Sequence, residues 1–173
     1  MSKQKRIFQI DDPKIIFLQA EAFKMSAIFI NNKAFKYTYH NHPLSRKFYI
    51  TQKINEAFAF ELYLKCLMAI ETGNFIEGHD LLELFQGLSQ QTQDKIIANH
   101  EKGIVYGPVH TLIHGIGAKD DFLDILLNTG KAFIELRYMF DDEKFLNYDF
   151  GFTINFVRWM ILELCPDFKV QDL

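Results

Sequence analysis

Apolar residues recur along most of this chain at steps of three and four, the spacing that places side chains on one face of an α-helix. Residues 13 to about 36 carry Ile16, Phe17, Ala20, Phe23, Ala27 and Ile30 at that period, and Asp11-Asp12-Pro13 supplies an acidic cap and a proline at the first helical position. A second helix is predicted over about 46 to 72, opened by Pro43 and Ser45. Its stripe Ile54, Phe58, Glu61, Leu62, Lys65, Met68 and Ala69 holds two charges on the core side. After a break at Gly73 and Asn74, Gly78-His79-Asp80-Leu81 reads as a tight entry into a short helix, with Gly78 free to adopt backbone angles closed to other residues and Asp80 as N-cap.

Downstream, Ser89 opens a mostly polar helix predicted to end at Gly103 and to lie at the edge of the bundle, with Ile96 and Ile97 as its main apolar residues. Residues 103 to 118, with four glycines and a proline amid apolar residues, read as a partly buried loop or a broken helix. Phe122, Leu126, Phe133, Arg137 and Phe140 place the next helix over about 120 to 140, with Arg137 on its apolar face. The last helix is predicted over 150 to 165, with Phe152, Phe156, Trp159, Met160 and Leu164 inward and Pro166 as its stop. The pattern is all-α: an up-and-down bundle of five or six helices, with 51 to 72 and 120 to 140 as the central antiparallel pair.

Composition narrows the class. A chain of 173 residues, 49% hydrophobic and with 18 phenylalanines, suits one domain with a substantial core and excludes disorder. No run of about 18 apolar residues exists, and the N-terminus lacks a secretory signal, so a soluble, cytoplasmic protein is expected, away from membranes. A formal charge of -3, from 19 basic and 22 acidic residues, argues against non-specific RNA binding while leaving room for a local basic patch. The basic start Lys3, Lys5 and Arg6 reads as a solvated end. Cys66 and Cys165 sit beside apolar residues as reduced core thiols. His40 with His42, and His110 with His114, lack the further converging ligands of a metal site, so neither metal nor cofactor is expected. Phosphate-loop, dinucleotide, nucleophile-elbow and zinc-protease motifs are all absent from the sequence.

The run Ala57-Phe58-Ala59-Phe60-Glu61-Leu62-Tyr63-Leu64-Lys65, the turn Gly78-His79-Asp80-Leu81 with Leu84-Phe85, and the late Phe133-Ile134-Glu135-Leu136-Arg137-Tyr138 resemble the HEPN superfamily of prokaryotic helical domains. The resemblance covers about residues 50 to 140 and rests on E-x-x-x-K, G-H-D-L and R-Y. It implies an up-and-down bundle, often a homodimer, linked to RNA cleavage or nucleotide binding in defence and toxin-antitoxin systems. The ribonuclease members carry an Arg followed after four to six residues by His. None of Arg6, Arg46, Arg137 and Arg158 leads to a His at that spacing, so the ribonuclease residues do not carry over.

Two readings of the ionic residues follow. In the structural one, Glu61 accepts from Lys65 or Arg137, His79 ties the turn to the bundle and Asp80 caps a helix, because buried charges persist only when paired. In the functional one, Lys65 and Arg137, beside Tyr138, bind phosphate and His79 moves a proton. The expected function is a binding module for a nucleotide, RNA or a partner protein. The alternatives are a metal-independent ribonuclease using His79 with Arg137 or Lys65, and a structural or regulatory subunit without a ligand.

Overall fold

The computed structural model describes residues 5–39, 44–106, 122–130 and 153–170. The protein is an all-α helical bundle with one small sheet. Helix α1 (Pro13–Tyr39) begins as expected, with the Asp12 carboxylate accepting the Lys14 N–H at 3.0 Å. Helix α2 (Ser45–Thr72) returns beside it. Their pairings run in opposite chain order: the Cys66 thiol lies 3.4 Å from the Pro13 carbonyl, Tyr63 packs on Phe17, Phe58 stacks on Phe23 and Phe48 on Tyr37. Ala20, Ala27 and Ala34 are buried at seven-residue intervals, so α1 meets its neighbours with small side chains that permit close approach of the backbones.

Among the described residues the main antiparallel pair is α1 with α2, and the segment 120 to 140, expected to partner 51 to 72, is described only over 122 to 130. Among the described residues, helix α5 (Phe122–Thr129) packs against the short helix α3 (Leu81–Gln86) and helix α4 (Gln90–Tyr106) instead. A short connection between α1 and α2 brings two long apolar helices together with little loop-closure cost, which favours this hairpin. The rest of the segment expected to be helical to about 140 lies outside the described residues, and α5 ends in a turn at Gly130. A Cβ there would lie 2.9 Å from the Leu126 carbonyl oxygen and 3.0 Å from Asp80 Oδ1, so only glycine fits the close approach.

The predicted inward face of α2 is rotated. Ile54, Phe58 and Leu62 are half-buried, whereas Phe60, Tyr63, Leu64 and Leu67 are wholly enclosed. Neighbours α1, α3, the sheet and helix α6 (Thr153–Leu164) surround α2, and a helix apolar on most sides has no single core stripe to read. The same holds for α6, where Ile154, Val157, Met160 and Ile161 face inward while Trp159 and Leu164 are exposed. Helix α4 continues through Gly103 to Tyr106, and its buried line includes His100, edge-on to the rings of Phe122 and Phe156. Pro166 stops α6 as expected and opens a short 3-10 turn to Phe168.

Of the basic start, Lys5 and Arg6 are exposed, and the residues that follow them form a strand. Strand β1 (Ile7–Gln9) pairs antiparallel with β2 (Asn74–Ile76), Ile7 opposite Ile76 and Phe8 opposite Phe75, and those two phenylalanine rings stack at 5.3 Å. Gly73, at φ 72°, ends α2 in the left-handed region and donates to the Ala69 carbonyl, which reverses the chain into β2. No helix among the described residues is long and apolar enough to cross a membrane.

Candidate functional site

Glu61 and Lys65 are one helical turn apart on α2, so their side chains meet on the same face. Lys65 Nζ donates to Glu61 Oε1 at 2.7 Å, with only 4% of the Glu61 side chain and 11% of the Lys65 side chain exposed. The lysine ammonium also stands 5.8 Å from the centre of the Phe75 ring on β2. The other Glu61 oxygen, Oε2, lies 2.9 Å from Nδ1 of His79, whose side chain is 47% exposed. One buried carboxylate thus holds an ammonium in the interior and an imidazole at the rim.

The turn that delivers His79 is fixed from both sides. Gly78 sits at φ 154°, where only glycine is at ease, and the Glu77 N–H donates to the Arg6 carbonyl at 2.8 Å. After His79, the Asp80 carboxylate accepts the Glu83 N–H at 3.2 Å and caps α3, as the sequence predicts. The Leu81 N–H donates to the Gly130 carbonyl at 3.1 Å, which ties the turn to the end of α5.

Pairing of β1 with β2 adds a residue that sequence reasoning passed over. Lys5 forms an ion pair with Glu83, and its Nζ lies 3.3 Å from where a Gly78 Cβ would be. The structure thus brings Glu61, Lys65 and His79 together, with Asp80 next in the turn, and adds Lys5 and Glu83 beside them. Nothing in the local sequence marks Lys5, because its place depends on a strand pairing across about seventy residues. Arg137 and Tyr138 lie outside the described residues, as do His40, His42, His110, His114 and the segment from 107 to 118.

Chemically, the arrangement presents a half-exposed imidazole whose ring is oriented by a buried carboxylate, with two lysine ammoniums on the adjoining elements. Such a set can hold an anion or carry a proton at the histidine. Among the described residues no group of three or more His, Cys, Asp or Glu side chains is arranged to hold a metal ion.

A second ionic cluster was not foreseen. Arg158 on α6 grips Glu21 on α1 through both carboxylate oxygens, Nε to Oε1 at 2.6 Å and a terminal nitrogen to Oε2 at 3.0 Å, and the Tyr63 hydroxyl donates to the same Oε1. Beside them, Lys24 Nζ donates to the Asn155 side chain at 2.8 Å. Burial opposes charge on Glu21, yet the hydrogen bonds from Arg158 and Tyr63 outweigh it and hold the carboxyl below its ordinary value. Burial and the nearby Arg158 push the Lys24 ammonium the other way, below its ordinary value, and burial drives the Tyr63 hydroxyl well above its own. A signal did exist: Glu21 follows Phe17 by four residues and adjoins Ala20, which puts it at the border of the apolar stripe of α1.

A third polar group closes the start of α4. The Glu71 carboxylate accepts from the Ser89 N–H and hydroxyl at 2.9 and 2.7 Å and from the Thr92 hydroxyl at 2.5 Å. It borders a cavity of about 400 Å³ reached by Lys95 and Met160, but Lys95 is paired with Glu163 and the hydroxyls are spent on capping. Cys66 is buried and Cys165 half-buried, both as free thiols, and burial pushes the Cys66 thiol up to about 12.

In comparison with known proteins, no family model, curated protein or solved structure matches this chain.

Proposed function

We propose that the protein is a non-nucleolytic, HEPN-like binding module that takes a phosphate-bearing ligand, a nucleotide or an RNA end, at the rim where His79 stands beside Lys5, backed by the buried Lys65 on the same carboxylate as His79, in a cytoplasmic defence or stress context. The single observation that carries this reading is the two-sided use of Glu61, which orients the half-exposed His79 through one oxygen and holds the buried Lys65 ammonium through the other. A purely structural ion pair needs only one partner for the carboxylate. The second, half-exposed partner gives the buried charge a surface outlet. The acidic overall charge fits a small, specific anion better than an extended polynucleotide.

Ligand-dependent melting tests the reading. ATP, GTP or a dinucleotide at millimolar concentration is expected to raise Tm in proportion to the logarithm of ligand excess over Kd, and the rise is expected to vanish in His79→Ala. Absence of any shift with each ligand overturns it.

The orientation of His79 Nδ1 by Glu61 specifically favours one other reading, a metal-independent ribonuclease in which the imidazole takes a proton from the ribose hydroxyl and a lysine stabilises the phosphorane. The same His79→Ala protein decides it. Cleavage of mixed single-stranded and structured RNAs in EDTA that disappears in the variant, with folding intact, supports the enzyme. Uncleaved RNA throughout excludes it.

A further inference from the structure

Among the described residues, Lys24 is a half-buried ammonium with no carboxylate at ion-pair distance. It stands on α1 beside α6, and its hydrogen bond goes to a neutral acceptor, the side-chain oxygen of Asn155, at 2.8 Å. Glu21 attracts it from further off, but both oxygens of that carboxylate are held by the Arg158 fork, and one of them by the Tyr63 hydroxyl as well. Two cations therefore share one carboxylate, and the place where α1 meets α6 keeps a surplus of one positive charge.

A half-buried ammonium loses hydration that a neutral amide restores only in part, so an anion is more welcome here than on the open surface. Donors remain to receive one. The Lys24 ammonium keeps protons beyond the one given to Asn155, and the Arg158 guanidinium keeps N–H groups beyond the two given to Glu21. Lys24 and Arg158 also repel one another, and an anion between them turns that repulsion into shared attraction.

The surplus suits a monoanion. One carboxylate brings the cluster to neutrality, whereas a phosphate dianion would leave negative charge next to Glu21. The flanks are apolar: Met25, one helical turn from Glu21 on α1, and Trp159, one turn from Asn155 on α6, are 47% and 43% exposed. Apolar side chains on both banks favour an acid with an apolar body over an inorganic ion.

We infer that the groove between α1 and α6 binds a small organic monocarboxylate, its carboxylate between Lys24 and Arg158 and its apolar body against Met25 and Trp159. Glu21 does not turn such a ligand away, because its own charge is already met by Arg158 and Tyr63. The site is built on elements other than the His79 turn and does not rest on the reading of that turn.

The test uses para-fluorobenzoate, followed by fluorine NMR with the full chain. Wild type is expected to bind it with a Kd on the order of 1 mM, the range for a fragment of about ten non-hydrogen atoms. The emission of Trp159, the single tryptophan of the chain, is expected to shift with the same midpoint. The neutral para-fluorobenzamide is expected to bind at least tenfold more weakly, and so is para-fluorobenzoate to Lys24→Met and Lys24→Gln, each with its helical circular dichroism unchanged. His79→Ala is expected to leave the Kd as it is in wild type. Absence of binding to wild type at about 10 mM overturns the inference, as does an affinity that survives both Lys24 substitutions or is matched by the amide. Binding that is lost in His79→Ala, or that leaves Trp159 emission unmoved, places the acid elsewhere and overturns it as well.

Discussion

Glu61→Leu is expected to lower the stability of the fold by about 3–5 kcal/mol, measured by urea unfolding at neutral pH. The magnitude is that of a buried pair broken by removal of one partner, which leaves an enclosed charge without compensation. Here that charge is the Lys65 ammonium, 11% exposed and 2.7 Å from the carboxylate that would be lost. His79 would lose the partner of its Nδ1 as well, although at 47% exposure water replaces that bond at little cost. The double variant Glu61→Leu with Lys65→Met is therefore expected to recover most of the loss, since apolar groups of similar size then fill the site. Strictly additive costs in the cycle would show that the two side chains do not interact. The comparison also separates fold from function. If the double variant is stable yet no longer shifts Tm with a nucleotide, the pair serves the ligand as well as the core.

Glu21→Gln is expected to cost about 2–3 kcal/mol at pH 7, somewhat less than the first because Arg158 is 25% exposed and regains some hydration. Its signature is the pH dependence. The folded carboxyl of Glu21 titrates below the ordinary value of 4.5, so near and below that pH the unfolded chain binds the proton more readily than the folded one. The stabilisation is complete above the unfolded value and is lost as pH falls through the folded value. The difference in unfolding free energy between wild type and Glu21→Gln is thus expected to stay level from about pH 8 to 6 and to narrow below about pH 4.5. A difference that widens on acidification would mean that burial, not the Arg158 fork, governs Glu21.

Local rules served well where the structure depends on near neighbours. The start of α1 at Asp12 and Pro13, the end of α2 at Gly73, the strained Gly78, the Asp80 cap and the stop at Pro166 were all readable, since each is set within a few residues by backbone angles and one hydrogen bond. The Glu61–Lys65 pair was readable for the same reason, being one helical turn. Gly103 and Gly130 show the edge of that legibility. The first is carried through α4, and the second ends α5 where the Asp80 carboxylate leaves no room for a Cβ.

The sequence by itself determined that this chain is helical, where most helices begin and end, and that Glu61, Lys65, His79 and Asp80 belong to one neighbourhood. Only the tertiary structure decided which faces of α2 and α6 are enclosed, that α1 is the partner of α2, that β1 brings Lys5 to the His79 turn, and that Arg158 reaches Glu21 across 137 positions. The physical reason is that helix propensity and capping act over three or four residues, whereas these helices are apolar on several sides at once. With more than one face able to be buried, the periodic pattern admits several packings, and the choice among them is made by contacts between segments far apart in the chain.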